Sequence, residues 1–166
     1  MKGYIENNIE IVKELIEIDN KIMDEKIDLS HLIKNADLKS NLKLKNSIIY
    51  YENTYMPNTG VIYKGESKFD CLAIYEGEVV KLEEDEIMGT IVTIKHDENI
   101  MSIYGSLQNV KVKEGDIVNK MDVIGEAGKN NLSSSLGEHL HFELIVNGKN
   151  VDPEKNYGKT LVELNK

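Results

Sequence analysis

The sequence predicts a mainly β fold, an antiparallel sandwich or barrel-sandwich hybrid, with an N-terminal helical extension. Three observations carry that expectation. After Ser47 apolar and polar residues alternate at period two in short runs punctuated by Gly and Asn, the pattern of half-buried strands. No helical segments alternate with these runs, so the strands are expected to pair antiparallel rather than through βαβ crossovers. Before Ser47 the period is helical instead.

The extension comes first. Ile11, Leu15, Ile18 and Ile22 form one stripe, and Ile5, Ile9, Val12, Ile16 and Met23 an adjoining one, over a helix from Ile5 to about Leu32. That wide apolar face either packs on its own domain or serves a partner helix or spacer. Asn35 to Asn46 is polar and Lys-rich, and reads as a connector or short second helix. The expected organisation is therefore an extension and linker over residues 1–46 and a β domain over 47–166.

Within that domain Phe69 to Ile74 and Glu78 to Leu82 read as strands around Glu76-Gly77. Thr90 to His96 and Ile100 to Leu107 read as a hairpin around Asp97-Glu98-Asn99. Val110 to Val112 leads through Glu114-Gly115-Asp116 to Ile117-Val118 and Val123-Ile124-Gly125. His139 to Val146 and Lys149 to Val151 flank Asn147-Gly148, the strongest two-residue hairpin signal. Asn130 to Gly137 is a Ser/Gly/Asn loop of the kind that rims a groove.

Charge and composition exclude several functions. The 166 residues carry 20 basic side chains against 29 acidic ones, for a net charge of −9. Every basic residue is Lys, so the bidentate guanidinium fork that reads phosphate or guanine is missing, and nucleic acid is not an expected partner. No run approaches the roughly 18–20 apolar residues of a membrane helix. The chain as given is expected to be soluble, and any membrane tether to lie in a segment outside it. The single cysteine, Cys71, excludes an intrachain disulfide or a thiolate zinc cluster, and its alternating surroundings predict an inert buried thiol.

Gly137-Glu138-His139-Leu140-His141-Phe142-Glu143 is where ionisable side chains cluster at a spacing with a mechanism. Residues i and i+2 of a strand share a face, roughly 6.5–7 Å apart. Two imidazoles so placed can share a zinc site, one as ligand and one as acid or hydrogen-bond donor, or form an incidental structural pair. His96 is a weak further candidate ligand, and His31 reads as a surface residue of the extension. Glu83-Glu84-Asp85-Glu86 lacks the ligand spacing and central Gly of a calcium loop and reads as a solvated hairpin tip.

Taken with Asn147-Gly148 and Val151-Asp152-Pro153, the His-x-His strand resembles the C-terminal signature of the LytM-type M23 zinc endopeptidases, which cut peptidoglycan cross-links. Gly77-Glu78-Val79, Gly89 to His96, Tyr104 to Leu107, Gly115 to Val118 and Ile124 to Gly128 fall in that family's order, so the resemblance runs from about Thr59 to Pro153. It implies an M23-type fold. It also implies where an active member's site would be: a His and an Asp four residues apart, the second His of His-x-His, and a catalytic His before the Leu of Tyr-x-His-Leu. Here Asn58 replaces the ligand His, Ile62 the ligand Asp, and Ser106 the second catalytic His. Only His139, at the catalytic position, and His141, at the ligand position, remain. Catalytic zinc takes three protein ligands and an open water position, so one imidazole cannot hold it. Without the ion the attacking water keeps a pKa of about 15.7. No cofactor and no zinc are expected, and the domain reads as a pseudo-metallopeptidase.

Further stretches resemble the stage II sporulation protein Q family of endospore-forming Firmicutes: Tyr50 to Tyr55, Pro57 to Gly60, Phe69 to Ala73, Glu84-Asp85 with Met88-Gly89, and Ala127 to Asn130. That resemblance implies an ectodomain at the forespore membrane, facing the space between forespore and mother cell. Its implied partner is the ectodomain of stage III sporulation protein AH, in a ring-like channel used during engulfment. Three rivals stand beside it: an active endopeptidase with rerouted ligands, an activator of a cell-wall hydrolase, and a biotinyl- or lipoyl-type carrier suggested by Glu114 to Val118.

Overall fold

The computed structural model describes residues 33–34, 38–44, 48–51, 54–57, 60–65, 67–131 and 137–166, the first four segments as strand backbone. The helix expected over Ile5 to Leu32, His31 and Asn58 lie outside the described residues. Strands β1 (Ile33–Lys34), β2 (Leu38–Leu44), β3 (Ile48–Tyr51) and β4 (Thr54–Pro57) precede β5 (Val61–Gly65), β6 (Asp70–Leu72) and β7 (Gly77–Asp85). Then come β8 (Gly89–Lys95), β9 (Ile100–Gln108), β10 (Ile117–Val118), β11 (Val123–Ala127), β12 (His139–Val146) and β13 (Lys149–Val151). A 3-10 turn (Pro153–Lys155) and a short helix α1 (Leu161–Leu164) close the chain. No helix among the described residues is long and apolar enough to cross a membrane.

All described strand pairs are antiparallel. β9 is the hub: β8 lies along one edge, β12 along the other, and its last residues pair with β11. β12 in turn pairs with β5 through its first half and with β13 through its second. β3 and β4 form a separate hairpin.

Two stretches differ from the sequence pattern. Residues 35–46, expected as a connector or second helix, contain strand β2, whose Lys43 and Leu44 pair with Tyr63 and Ile62 of β5. The alternation Leu42-Lys43-Leu44 is too short to outweigh the Lys-rich composition on its own, and the ladder offered by β5 decides the conformation. Backbone from the expected extension thus joins the sheet of the β domain. The acidic run is likewise mostly strand. Glu83, Glu84 and Asp85 pair with Ile91, Thr90 and Gly89, and the turn begins only at Glu86. Thr90 Oγ1 donates to Glu84 Oε1 at 2.7 Å.

Alternation divides β12 cleanly. Leu140, Phe142 and Leu144 join Val61 and Tyr63 of β5 and Tyr104 of β9 in the core, each at most 1% exposed. Burying each such side chain contributes roughly 1.5–3 kcal/mol. Tyr104 meets Phe142 edge-on, with ring centroids 5.2 Å apart. Cys71 is fully buried as expected, and that burial pushes its thiol pKa up.

The C-terminal segment fastens onto this core. Tyr63 Oη donates to Glu154 Oε1 at 2.6 Å and lies 2.7 Å from Tyr157 Oη. Burial raises both phenol pKa values, so the hydroxyls stay protonated. Thr160 and Glu163 cap α1 reciprocally, and Asn165 Nδ2 donates to Asp97 Oδ2 at 2.9 Å beside the β8–β9 turn.

Two glycines are required for different reasons. A Cβ on Gly60 would collide with the Phe142 carbonyl oxygen. Gly148 has open space around it, but it sits at φ +76° next to Asn147 at φ +51°, the two left-handed residues of a tight hairpin turn. Gly60→Ala is expected to cost about 3 kcal/mol by overpacking, and Gly148→Ala about 1 kcal/mol by backbone strain. Urea midpoints at unchanged m-value measure both; equal losses would refute the distinction.

Candidate functional site

The site candidates gather where β12 runs between β5 and β9. His141 is the Cα partner of Ile62 on one side and of Gly105 on the other. Directly opposed residues share a face, so His139, His141, Ile62 and Gly105 lie opposite the Phe142 core face. His139 is 0% exposed, His141 2% and Ile62 5%. The predicted His-x-His geometry is therefore present. The aliphatic side chain of Ile62, without a lone pair, stands opposite His141 where the resemblance requires a carboxylate.

His139 is locked. Its Nδ1 lies 2.9 Å from the Gly137 carbonyl oxygen, which can only accept, so Nδ1 carries the hydrogen. Nε2 is then a lone pair, and accepts from Asn130 Nδ2 at 3.1 Å. The backbone is held too, His139 N donating to Gly128 O at 2.8 Å and Gly128 N to His139 O at 3.2 Å. Burial lowers the imidazole pKa, aided by His141 and Lys64 and opposed by the Gly137 bond. Both ring nitrogens of this neutral imidazole are thus occupied by protein groups.

Ser106 is committed in the same way. It adopts φ +63°, an uncommon left-handed conformation for a residue with a Cβ. Its amide donates to Met88 O at 2.8 Å and its hydroxyl to Gly128 O at 3.0 Å. The one proton Ser106 could offer to a developing charge is directed into a backbone carbonyl.

His141 differs. Nε2 contacts Glu143 Oε1 at 2.8 Å, while Glu143 Oε2 accepts from Asn150 Nδ2 at 2.9 Å. This carboxylate fixes the plane of the ring. The Cβ and Cδ2 side of His141 lies over Gly105, where the Met88 methyl group also approaches. Nδ1 is buried without a hydrogen-bond partner among the described residues. A buried, unpaired nitrogen costs about 1–3 kcal/mol.

The zinc implied by the M23 resemblance needs three protein ligands. Among the described residues no group of three or more His, Cys, Asp or Glu could hold a metal ion. His139 and Ser106 have their polar atoms engaged, Ile62 has none, and Asn58 lies outside the described residues. The described residues do not fit a three-ligand zinc site.

His96 is elsewhere in the sheet, with Nδ1 2.8 Å from Glu76 O and Nε2 2.8 Å from Ser102 Oγ. It does not join the strand pair. Two functional neighbours escaped the sequence reading. Glu143 had a legible signal, since it extends the same-face alternation to His-x-His-x-Glu. Asn130 was legible only as part of a groove-rimming loop, because nine positions upstream of His139 it reaches the ring only through the fold.

Comparison with known proteins agrees with this geometry. Residues 56–153 match the family model described as Peptidase family M23. The chain is 37% identical over 109 residues to stage II sporulation protein Q of Bacillus subtilis (strain 168), covering 64% of this chain and 38% of that protein's length. A solved structure of the SpoIIQ-SpoIIIAH pore forming complex superposes with TM-score 0.76 at 28% identity, covering 86% of this chain and 98% of the matched one. A second crystal structure of a SpoIIIAH and SpoIIQ complex gives TM-score 0.62 at 30% identity, covering 79% and 96%. With the His-x-His strand, its register against β5 and β9 and the match over 56–153 all in agreement, the chain belongs to peptidase family M23.

Proposed function

We propose that this chain is a non-catalytic LytM-type domain of endospore formation that binds a stage III sporulation protein AH-like ectodomain. The observation that carries the non-catalytic part is the pairing of His141 with Ile62, together with the engagement of the side-chain polar atoms of His139 and Ser106. Hydrolysis by this family's chemistry needs an ion to lower the pKa of the attacking water and a donor near the developing charge. The residues described here supply neither. The partner reading is supported by the likeness to stage II sporulation protein Q and to the two complexes that contain SpoIIIAH. In this reading the domain faces the space between forespore and mother cell from the forespore membrane, as part of a ring-like channel used in engulfment.

The net charge of −9 favours a basic partner surface, with association that weakens as salt rises. Metal content decides the first half of the proposal. Protein purified without chelator is expected to carry well under about 0.1 zinc per chain; stoichiometric zinc would revive the endopeptidase reading. The double variant Asn58→His, Ile62→Asp restores the ligand types and is expected to gain at least about ten-fold in zinc affinity by calorimetry. No gain would mean that the ligand count is not what separates this domain from the enzymes.

Direct binding to a stage III sporulation protein AH-like ectodomain decides the second half. Micromolar or tighter association, weakening between low and physiological salt, is expected; recovery of a cell-wall amidase instead would favour the activator reading. His141→Ala is expected to leave that affinity within a few-fold. A loss beyond about 1.4 kcal/mol, a factor of ten, would give the groove a direct role in docking.

A further inference from the structure

Asn147 is the only asparagine in the chain that is followed by glycine. The pair forms the exposed turn between β12 and β13, with Val146 paired to Lys149 on either side of it. Asn147 at φ +51° and Gly148 at φ +76° are the left-handed residues of a type I′ turn. The Asn147 amide anchors the turn by donating to Asn99 O at 2.8 Å. Among the described residues the Asn147 carbonyl, its carboxamide and the Gly148 amide have no hydrogen-bond partner. The peptide between the two residues can therefore turn over without breaking a hydrogen bond of the protein.

Turned over, the hairpin has a type II′ turn, the other form that suits the twist of two strands. That form keeps the first central residue at a positive φ of about +60°, which Asn147 already has, and moves its ψ to about −120°. Gly148 accepts the reversed φ because it has no Cβ, and the space a Cβ would fill is open. In an L-residue the new ψ puts Cγ and the following nitrogen on the same side of the Cα–C bond. The Asn147 carboxamide carbon then faces the Gly148 nitrogen in the arrangement of a five-membered ring.

We propose that Asn147-Gly148 is a self-modifying turn, whose type II′ form closes a succinimide that water opens to isoaspartate and aspartate. The Gly148 nitrogen gives its proton to hydroxide and attacks Asn147 Cγ. The N–Cγ bond forms, the Cγ–Nδ2 bond breaks, and Nδ2 takes a proton from water and leaves as ammonia. Water then adds to a ring carbonyl. Breaking the N–Cγ bond restores the main chain with an aspartate, and breaking the original peptide bond leaves the chain running through the side chain as isoaspartate. Water is the only co-reactant, and nothing is oxidised or reduced. Isoaspartate adds an atom to the main chain of the turn and a carboxylate beside it. The short strand β13 then loses the register that sets Asn150 Nδ2 on Glu143 Oε2, so the support of the His141 ring loosens.

Mass spectrometry of the folded chain, aged at mildly alkaline pH and then digested, tests the proposal. The peptide containing Asn147 should gain about 1 Da and separate into two species of equal mass. The folded chain should react no more than about ten-fold slower than the chain in denaturing urea, because the flip leaves the strands paired. A larger ratio, or faster conversion at any other asparagine, would overturn the self-modifying turn. Hydrogen exchange tests the loosening. In the purified isoaspartyl form the Lys149 amide should exchange at least about ten-fold faster than in Asn147→Asp, which has the charge without the extra main-chain atom; a smaller difference would overturn the coupling to β13.

Discussion

The register of β12 between β5 and β9 is the constraint on which the molecule depends. A strand has two faces, and a slip of one residue would exchange them. In the observed register Leu140, Phe142 and Leu144 complete the core, and His139, His141 and Glu143 line the other side. Hydrophobic burial therefore fixes the face on which the imidazoles lie, and their hydrogen bonds to Gly137, Asn130 and Glu143 fix the rings. That is why the His-x-His geometry persists although its neighbours have changed.

What changed is the set of atoms around each ring nitrogen. Asn130 and Gly137 take both nitrogens of His139, and Gly128 takes the proton of Ser106. Glu143 orients His141 much as an outer-sphere carboxylate orients a metal-bound imidazole. Yet the facing position on β5 is aliphatic. The M23 frame is present while, among the described residues, the polar side-chain atoms of His139 and Ser106 are engaged by the protein itself and Ile62 offers none, since a shared architecture does not fix its chemistry.

Much of this was legible in the residues. The period-two runs located the β8–β9 hairpin and the β12–β13 hairpin with its Asn147-Gly148 turn, because local alternation and turn chemistry agree there. The burial of Cys71 followed from the same pattern. β2 was not legible, since its pairing comes from β5 and its composition points elsewhere. At the site, the replacements at Ile62 and Ser106 are what the resemblance to the M23 motifs implies. The engagement of His139 by Asn130 could not be read in that way, because two residues nine positions apart meet there only through the tertiary fold.

The attachment of Tyr63 to Glu154 and Tyr157 bears on where this module ends. The stretch shared with other M23 members stops at residue 153, one position before the first of those partners. Leu164, further along, is only 7% exposed. Residues beyond the matched stretch thus pack on its core, through the Tyr63 hydroxyl and the buried Leu164. Trimming a chain of this kind to residue 153 would strip a buried phenol of both its hydrogen-bond partners.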